Sequence, residues 1–398
     1  MKCMRVSAMN HDAKCHDPAM LFECLSTEVL IHMLQCANDE SYMFMWRTTT
    51  AFLMCSKHTM HAVYAWRLTV RKLDFLPTWE PTNVPSTYMQ RFHLIKTIIW
   101  SFPNVDGFYL HKACYITDNV LAKNVLFSNA NVKILDLGCY YHKLSANGIA
   151  SLCDYFPNLR CLKLNAEMLD DVHIIVLALK MKNLVTLQLA KCSNVTDCGV
   201  EFIAKSFPLL RVLKLQNSKM TNKGMFTLSF HCKQLQYIDL AHSIGIKNNT
   251  VMCIALTYPK LKSLNINGCK NVGGDAIATL SSCVELETLL MNNCTYVTDV
   301  NMLAVLSGCP QLRVLDVSSC SKLTSTFVEA LSSKCHNLEN VSLRSLTRLT
   351  DHSVTQLLQQ CKKLKYIDVE GCSNLSENVH ALVTLHNVKH KIAMHQNM

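Results

Sequence analysis

The chain has 398 residues, a formal net charge of +10, 49% hydrophobic and 17% charged residues, a balance that suits a folded protein with a large core and excludes a disordered one. No apolar run reaches the ~18–20 residues that a membrane span needs, and residues 1–20 lack the apolar stretch of a secretory signal. The basic surplus raises nucleic acid as a partner, but no Lys/Arg run exceeds two residues, so a generally basic surface is expected, with neither nucleic acid nor membrane as a partner.

In chain order, residues 1–20 read as a flexible N-terminus, and residues 21–75 have a helical apolar pattern. Pro77, Pro81 and Pro85 then punctuate a linker that leads into a helix over Tyr88–Ser101, so that 76–103 form linker and capping helix. From residue 104 to about 385 a period dominates. The pattern L-x-x-L-x-L, set on Leu184, Leu187 and Leu189, returns with first positions at Val105, Val132, Leu159, Leu184, Leu210, Leu235, Leu261, Leu286, Leu312, Leu338 and Leu364, at intervals of 25–27 residues. About eleven copies at one spacing define a repeat architecture. Residues 386–398 read as a solvated basic tail, in which His386, His390 and His395 lack a nearby carboxylate or cysteine to complete a metal site.

Within a copy, the last two apolar positions alternate as one face of a short strand does. A polar turn such as Ser193-Asn194 follows, then a helix N-cap pair such as Thr196-Asp197, then an amphipathic helix such as Gly199–Ala204. One copy buries about six apolar side chains, roughly 9–18 kcal/mol at ~1.5–3 each. Ordering its residues costs about 40 kcal/mol at ~1.5 per residue. A single copy therefore cannot fold alone, and stacked neighbours must supply the missing burial. The expected fold is an α/β curved solenoid, parallel strands on the concave side and helices on the convex side.

The chain has 21 cysteines, and many keep the repeat period. One column, the ninth motif position, holds Cys192, Cys269, Cys294, Cys320 and Cys372. Another, three residues before the first leucine, holds Cys232, Cys283, Cys309, Cys335 and Cys361, with Phe102, Phe156, Phe207 and Tyr258 in earlier copies. Exchange with aromatics marks a buried apolar slot, not a metal ligand. An odd count in a long chain without a signal sequence argues for reduced, structural thiols and for cytosol or nucleus. Asn340-Val341-Ser342 is a sequon placed inside an expected strand, where no glycan can attach.

The composite pattern C-x-x-L-x-x-L-x-L-x-x-C-x-x-[LV]-[TS]-[DE] resembles the cysteine-containing leucine-rich repeats of F-box proteins. Upstream, Leu25-Ser26-Thr27-Glu28-Val29-Leu30-Ile31-His32-Met33-Leu34 resembles the opening of an F-box, and Met54-Cys55-Ser56-Lys57-His58 its V-C-[KR]-x-W element. The chain departs from the family at Ser26, at His58 and in a longer interval between Leu34 and Cys55. The resemblance implies a small helical F-box-like domain at 21–75 ahead of the solenoid. There Leu25, Glu28, Val29, Leu30, Met33, Leu34, Met54, Cys55 and His58 would meet a Skp-family adaptor and, through it, a cullin. Docking would be of the helix-in-groove kind. It also implies a non-catalytic subunit of a ubiquitin ligase, with no cofactor and no metal; a repeat-only scaffold is the competing expectation.

No nucleophile elbow, phosphate loop, zincin helix or EF-hand loop occurs in the sequence. Asp170-Asp171 reads as a helix-capping pair. Strand residues between the inward leucines point to the concave face, and those of the later copies are rich in amide, charged and aromatic groups. Tyr237, Asp239, Asn265, Asn267, Leu290, Asn292, Asp316, Arg344, Tyr366 and Asp368 are accordingly the candidate contacts to a protein target. A mixed polar surface with an apolar spot suits a protein or peptide better than nucleic acid.

Overall fold

The computed structural model describes residues 72–74, 104–109, 118, 130–137, 144–165 and 167–396. The expected F-box-like residues from Leu25 to His58 and the Tyr88–Ser101 helix lie outside the described residues. The chain forms two compact units, Met1–Tyr109 and Leu110–Met398.

In the first unit, strand β1 (Lys72–Asp74) pairs in parallel with β2 (Gly107–Tyr109), Leu73 opposite Phe108. Residues 72–74 are thus strand at the end of the stretch whose apolar pattern reads as helical. The signal was present: Lys72-Leu73-Asp74 matches the strand triplets Ile134-Leu135-Asp136, Tyr237-Ile238-Asp239 and Val314-Leu315-Asp316. The spacing from Leu73 to Phe108 is longer than any repeat interval, which hid it from a search on period.

In the second unit the strands pair in sequence order: β3 (Ile134–Asp136), β4 (Cys161–Asn165), β5 (Thr186–Ala190), β6 (Val212–Leu215), β7 (Tyr237–Asp239), β8 (Ser263–Asn265), β9 (Thr288–Leu290), β10 (Val314–Asp316), β11 (Asn340–Ser342) and β12 (Tyr366–Asp368). Neighbours are parallel and in motif register, as Leu187 opposite Leu162 and Leu213, and Leu315 opposite Leu289 and Val341. Helices return the chain between strands: α1 (Ala146–Tyr155), α2 (Asp171–Lys180), α3 (Asp197–Ser206), α4 (Asn222–His231), α5 (Asn248–Thr257), α6 (Gly274–Ala278), α7 (Asp299–Gly308), α8 (Ser325–Lys334), α9 (Asp351–Gln360) and α10 (Glu377–Gln396). The motif leucines are buried, Leu184, Leu187, Leu189, Leu210 and Leu213 completely. This is the leucine-rich-repeat solenoid that the period requires.

Three ladders tie one repeat to the next. The first is carboxylate to helix N-terminus. Asp171, the first residue of α2, accepts hydrogen bonds from Thr196 N (2.8 Å), Thr196 Oγ1 (2.5 Å) and Gly199 N (3.1 Å), the cap of α3. Asp197 does the same for Thr221 and Gly224, and Asp299 for Thr324. A Cβ on Gly199 would lie 2.5 Å from Asp171 Oδ1, so glycine there makes room for the incoming carboxylate. Asp170 caps its own helix, accepting from Val172 N and His173 N, as read from the sequence.

The second and third ladders are the cysteine columns. Cys232, Cys309, Cys335 and Cys361 each occupy the C-cap of a helix, the slot that Phe156, Phe207 and Tyr258 fill elsewhere. All seven are buried, as the Cys-to-aromatic exchange implies. Their thiols reach back one repeat: Cys232 Sγ donates to Phe207 O at 3.4 Å, Cys309 Sγ to Cys283 O at 3.4 Å. In the other column Cys192 Sγ donates to Gln216 O, Cys320 Sγ to Met291 O and Cys372 Sγ to Leu343 O, at 3.1, 3.4 and 3.1 Å. Burial pushes these thiols up, Cys192, Cys232, Cys309 and Cys320 to about 12. They are packing groups with a weak donor, not nucleophiles.

Between strand and helix the backbone turns through the left-handed region once in each repeat from Leu184 onward, at Lys191, Asn217, His242, Gly268, Asn293, Ser319, Ser345 and Gly371. These stand at one motif position, immediately before the first cysteine column. At Gly268 the glycine has a second reason, since a Cβ would lie 2.4 Å from His242 Nδ1.

At the C-terminus residues 386–396 belong to helix α10, and the side chains of His386 and Asn387 finish the sheet. Asn387 Oδ1 accepts from Ile367 N (3.0 Å) while its Nδ2 donates to Ile367 O (2.7 Å). His386 Nε2 lies 3.0 Å from Leu364 O. One carboxamide thus stands in for the strand that would follow β12, satisfying an edge that is otherwise a template for pairing.

Candidate functional site

The candidate site is the strand face of the second unit. The sheet sets its layout: at each repeat, residues on either side of the central leucine face away from the core. The structure divides the ten candidate contacts into two groups.

One group serves the scaffold. Asp239 is buried; its Oδ1 accepts from Ala241 N (3.1 Å) and its Oδ2 from Gln216 Nε2 (2.7 Å). Asp316 Oδ1 accepts from Ser318 N (2.9 Å) and Ser318 Oγ (2.5 Å). Asn265 accepts from Asn267 N, and Asp368 from Glu370 N, by the same two-residue step. Asn267 Oδ1 accepts from Asn292 N (2.7 Å), one repeat on. These Asx turns hold the amide where each strand leaves the sheet. The signal was the recurrence of Asp or Asn at the last strand position, a turn former placed where a turn begins.

The other group is presented outward. Tyr237 and Tyr366 are 40% and 50% exposed, Leu290 and Asn292 are half-buried, and Arg344 is exposed. Arg344 Nη2 pairs with Glu370 Oε1 at 2.8 Å, so its guanidinium has an exposed partner that an incoming acid would displace. Sequence reasoning missed a charged ladder at the strand entrances. Lys262, Glu287, Arg313, Glu339 and Lys365 occupy one motif position with alternating sign, and each is ion-paired to its neighbour. Lys365, at 2.5 Å, and Arg313 hold the Glu339 carboxyl below the usual range. The alternating signs in that column were the readable clue.

Among the described residues no group of three or more His, Cys, Asp or Glu side chains is arranged to hold a metal ion. No helix there is long and apolar enough to cross a membrane. What the face offers is an extended, pre-ordered strip of aromatic, amide and charged groups, which suits recognition of another protein.

The repeat geometry, the register and the two cysteine ladders define a leucine-rich-repeat protein of the cysteine-containing class. No family model matches the chain. Among known proteins it is 28% identical over 145 residues to F-box/LRR-repeat protein 4 of Bos taurus and 26% identical over 149 residues to F-box protein SKIP1 of Arabidopsis thaliana. These alignments cover 36% and 37% of this chain, and 21% and 47% of those proteins, so the chain spans less than half the length of either. The F-box/LRR proteins are the family it resembles. In fold it is similar to a chain in the crystal structure of the yeast Rad7 and Elc1 complex, with a TM-score of 0.57, 22% identity and coverage of 67% of this chain and 70% of that one.

Proposed function

We propose that this chain is the target-recognition subunit of an SCF-type cullin–RING ubiquitin ligase. Residues 21–75 would hold a Skp-family adaptor, and the strand face of the solenoid would hold the protein to be modified. The observation that carries the reading is the pairing of an F-box-like opening, Leu25 to Leu34, with cysteine-type repeats; the relatives with F-box in their names support it. The chain's part in the reaction would be proximity: it raises the effective concentration of the target near a charged conjugating enzyme, and no residue of its own does chemistry.

For the target we assign Tyr237, Leu290, Asn292, Arg344 and Tyr366 as contacts, with Arg344 exchanging Glu370 for an acidic or phosphorylated group. Asp239, Asn265, Asn267, Asp316 and Asp368 would act indirectly, by fixing the strand exits. Ser26, His58 and the long interval to Cys55 favour a second reading, a binding scaffold without an adaptor. The test is affinity purification of the full chain followed by mass spectrometry. A Skp-family adaptor and a cullin recovered together support the ligase reading; recovery of other partners with neither present supports the scaffold.

A further inference from the structure

The basic surplus is not spread evenly. Between residues 202 and 274 the chain has ten Lys or Arg and a single acidic residue, Asp239, which is buried in the strand face. The helices of this stretch, α4 and α5, lie side by side, and neither carries an acid in its first turn, as α1 and α8 also do not, whereas α2, α3, α7 and α9 carry Asp there.

The same two helices both expose apolar groups at two positions where α3, α8 and α9 carry polar ones and where α2 exposes only Leu179. Phe226 and Phe230 on α4, and Met252 and Leu256 on α5, stand at the fifth and ninth helix positions; Phe230 is 74% and Leu256 79% exposed. Those positions hold Glu201 and Lys205 on α3, Glu329 and Ser333 on α8, and Thr355 and Gln359 on α9. Packing does not require the four apolar groups, because the buried faces of α4 and α5 are supplied by Met225, Leu228, Val251 and Ile254. Lysines rim the patch. Lys223 lies one turn before Phe226, Lys233 Nζ is 6.0 Å from the Phe230 ring centre, and Lys260 follows Leu256 by four residues. On the α3 side Glu201 and Lys205 neutralise one another at 2.6 Å.

We infer that the convex face of α4 and α5 is a second protein-docking surface, whose occupant is an amphipathic helix with an apolar stripe flanked by acidic residues. The dimensions fit one helix. Residues four apart are about 6 Å apart along an axis and neighbouring axes are about 10 Å apart, so the four side chains form two short rows with a groove between them. A stripe at i, i+4 and i+7 fills such a groove, and its flanking carboxylates meet Lys223, Lys233 and Lys260. Four side chains confined to two repeats make too small a footprint for stable bilayer anchoring, where even a single acyl chain is marginal.

The test uses the full chain and a labelled helical peptide of roughly 18 residues, with a leucine stripe and glutamate flanks, beside its lysine-flanked counterpart and phosphatidylserine-containing vesicles. The glutamate peptide should bind saturably and more tightly at low salt. Its affinity should fall at least about tenfold in Phe230→Ser with Leu256→Ser, and likewise in Lys223→Glu with Lys233→Glu. The lysine peptide should bind at least about tenfold more weakly, and Tyr366→Ala, on the strand face, should leave binding unchanged. These are surface substitutions, and an unchanged Tm confirms the fold. Failure of the glutamate peptide to bind, equal binding of both peptides, or equal binding to wild type and variants overturns the inference. Binding to the vesicles alone would instead make the patch a lipid surface.

Discussion

Replacing Asp171 by alanine tests the first ladder most sharply. Its carboxylate receives two backbone N–H groups and one hydroxyl from the next repeat, all part-buried. A hydrogen bond to a charged group contributes about 1.5–3 kcal/mol, and three of them would sum to roughly 4–9. Water can replace some of that at a half-exposed site, so the expected loss is about 2–4 kcal/mol. Asp171→Asn keeps the shape and the acceptor oxygen; Asn222, which stands at the same position in α4, still accepts from Thr250 Oγ1 of the next repeat. The asparagine variant should therefore lose about 1 kcal/mol or less. Urea titration of the full chain, followed by far-UV circular dichroism, measures both. An alanine variant within about 0.5 kcal/mol of wild type, or an asparagine variant as damaged as the alanine one, would refute the reasoning.

Gly199→Ala should be strongly destabilising alone, because its Cβ would meet Asp171 Oδ1, and much less so in the Asp171→Ala background; additivity in that double-mutant cycle would contradict the contact. The buried thiols predict alkaline unfolding. Burial holds Cys269 at about 11 and Cys192, Cys232, Cys309 and Cys320 at about 12 when folded, against an ordinary 9.0 for a thiol in water. The folded state therefore binds more protons above pH 9, and stability falls as pH rises from about 9 toward 12, by ~1.4 kcal/mol per unit per thiol; a flat stability profile from pH 8 to 10.5 would contradict it. Tyr258 is buried with its hydroxyl unpartnered among the described residues, so Tyr258→Phe should be neutral or stabilising by about 1 kcal/mol in the same urea titration, and a loss above that would show the hydroxyl has a role. Asn387→Ala should open the β12 edge, with a loss of about 1–2 kcal/mol and concentration-dependent association seen by light scattering.

The fold was legible because burial in a solenoid repeats: each leucine column faces one core, so the period alone identifies strand, turn and helix. What the period could not carry was anything that departs from it. Lys72–Asp74 lies outside the 25–27 residue interval, and Asn387 imitates a strand with a side chain, which no backbone pattern announces. On the strand face, the sequence showed which residues point outward but not which carboxylates are already engaged. Asp239 and Tyr237 sit two residues apart with the same facing; one is buried in scaffold hydrogen bonds and the other projects into solvent. The patch on α4 and α5 was in principle readable, since Phe226, Phe230, Met252 and Leu256 break the polar outer register, but only against helix boundaries known to the residue.

Adaptor recognition would reside in the segment that begins at Leu25, and calorimetric titration of the full chain with a purified Skp-family adaptor measures it. A one-to-one complex is predicted. Leu30→Ala together with Leu34→Ala removes two apolar anchors, each worth up to about 2–4 kcal/mol if a hot spot, and should weaken it at least about a hundredfold while leaving the urea midpoint of the repeats in place. Absence of binding by the unaltered chain, or unchanged affinity in the double variant, would contradict the claim and leave the solenoid as a scaffold.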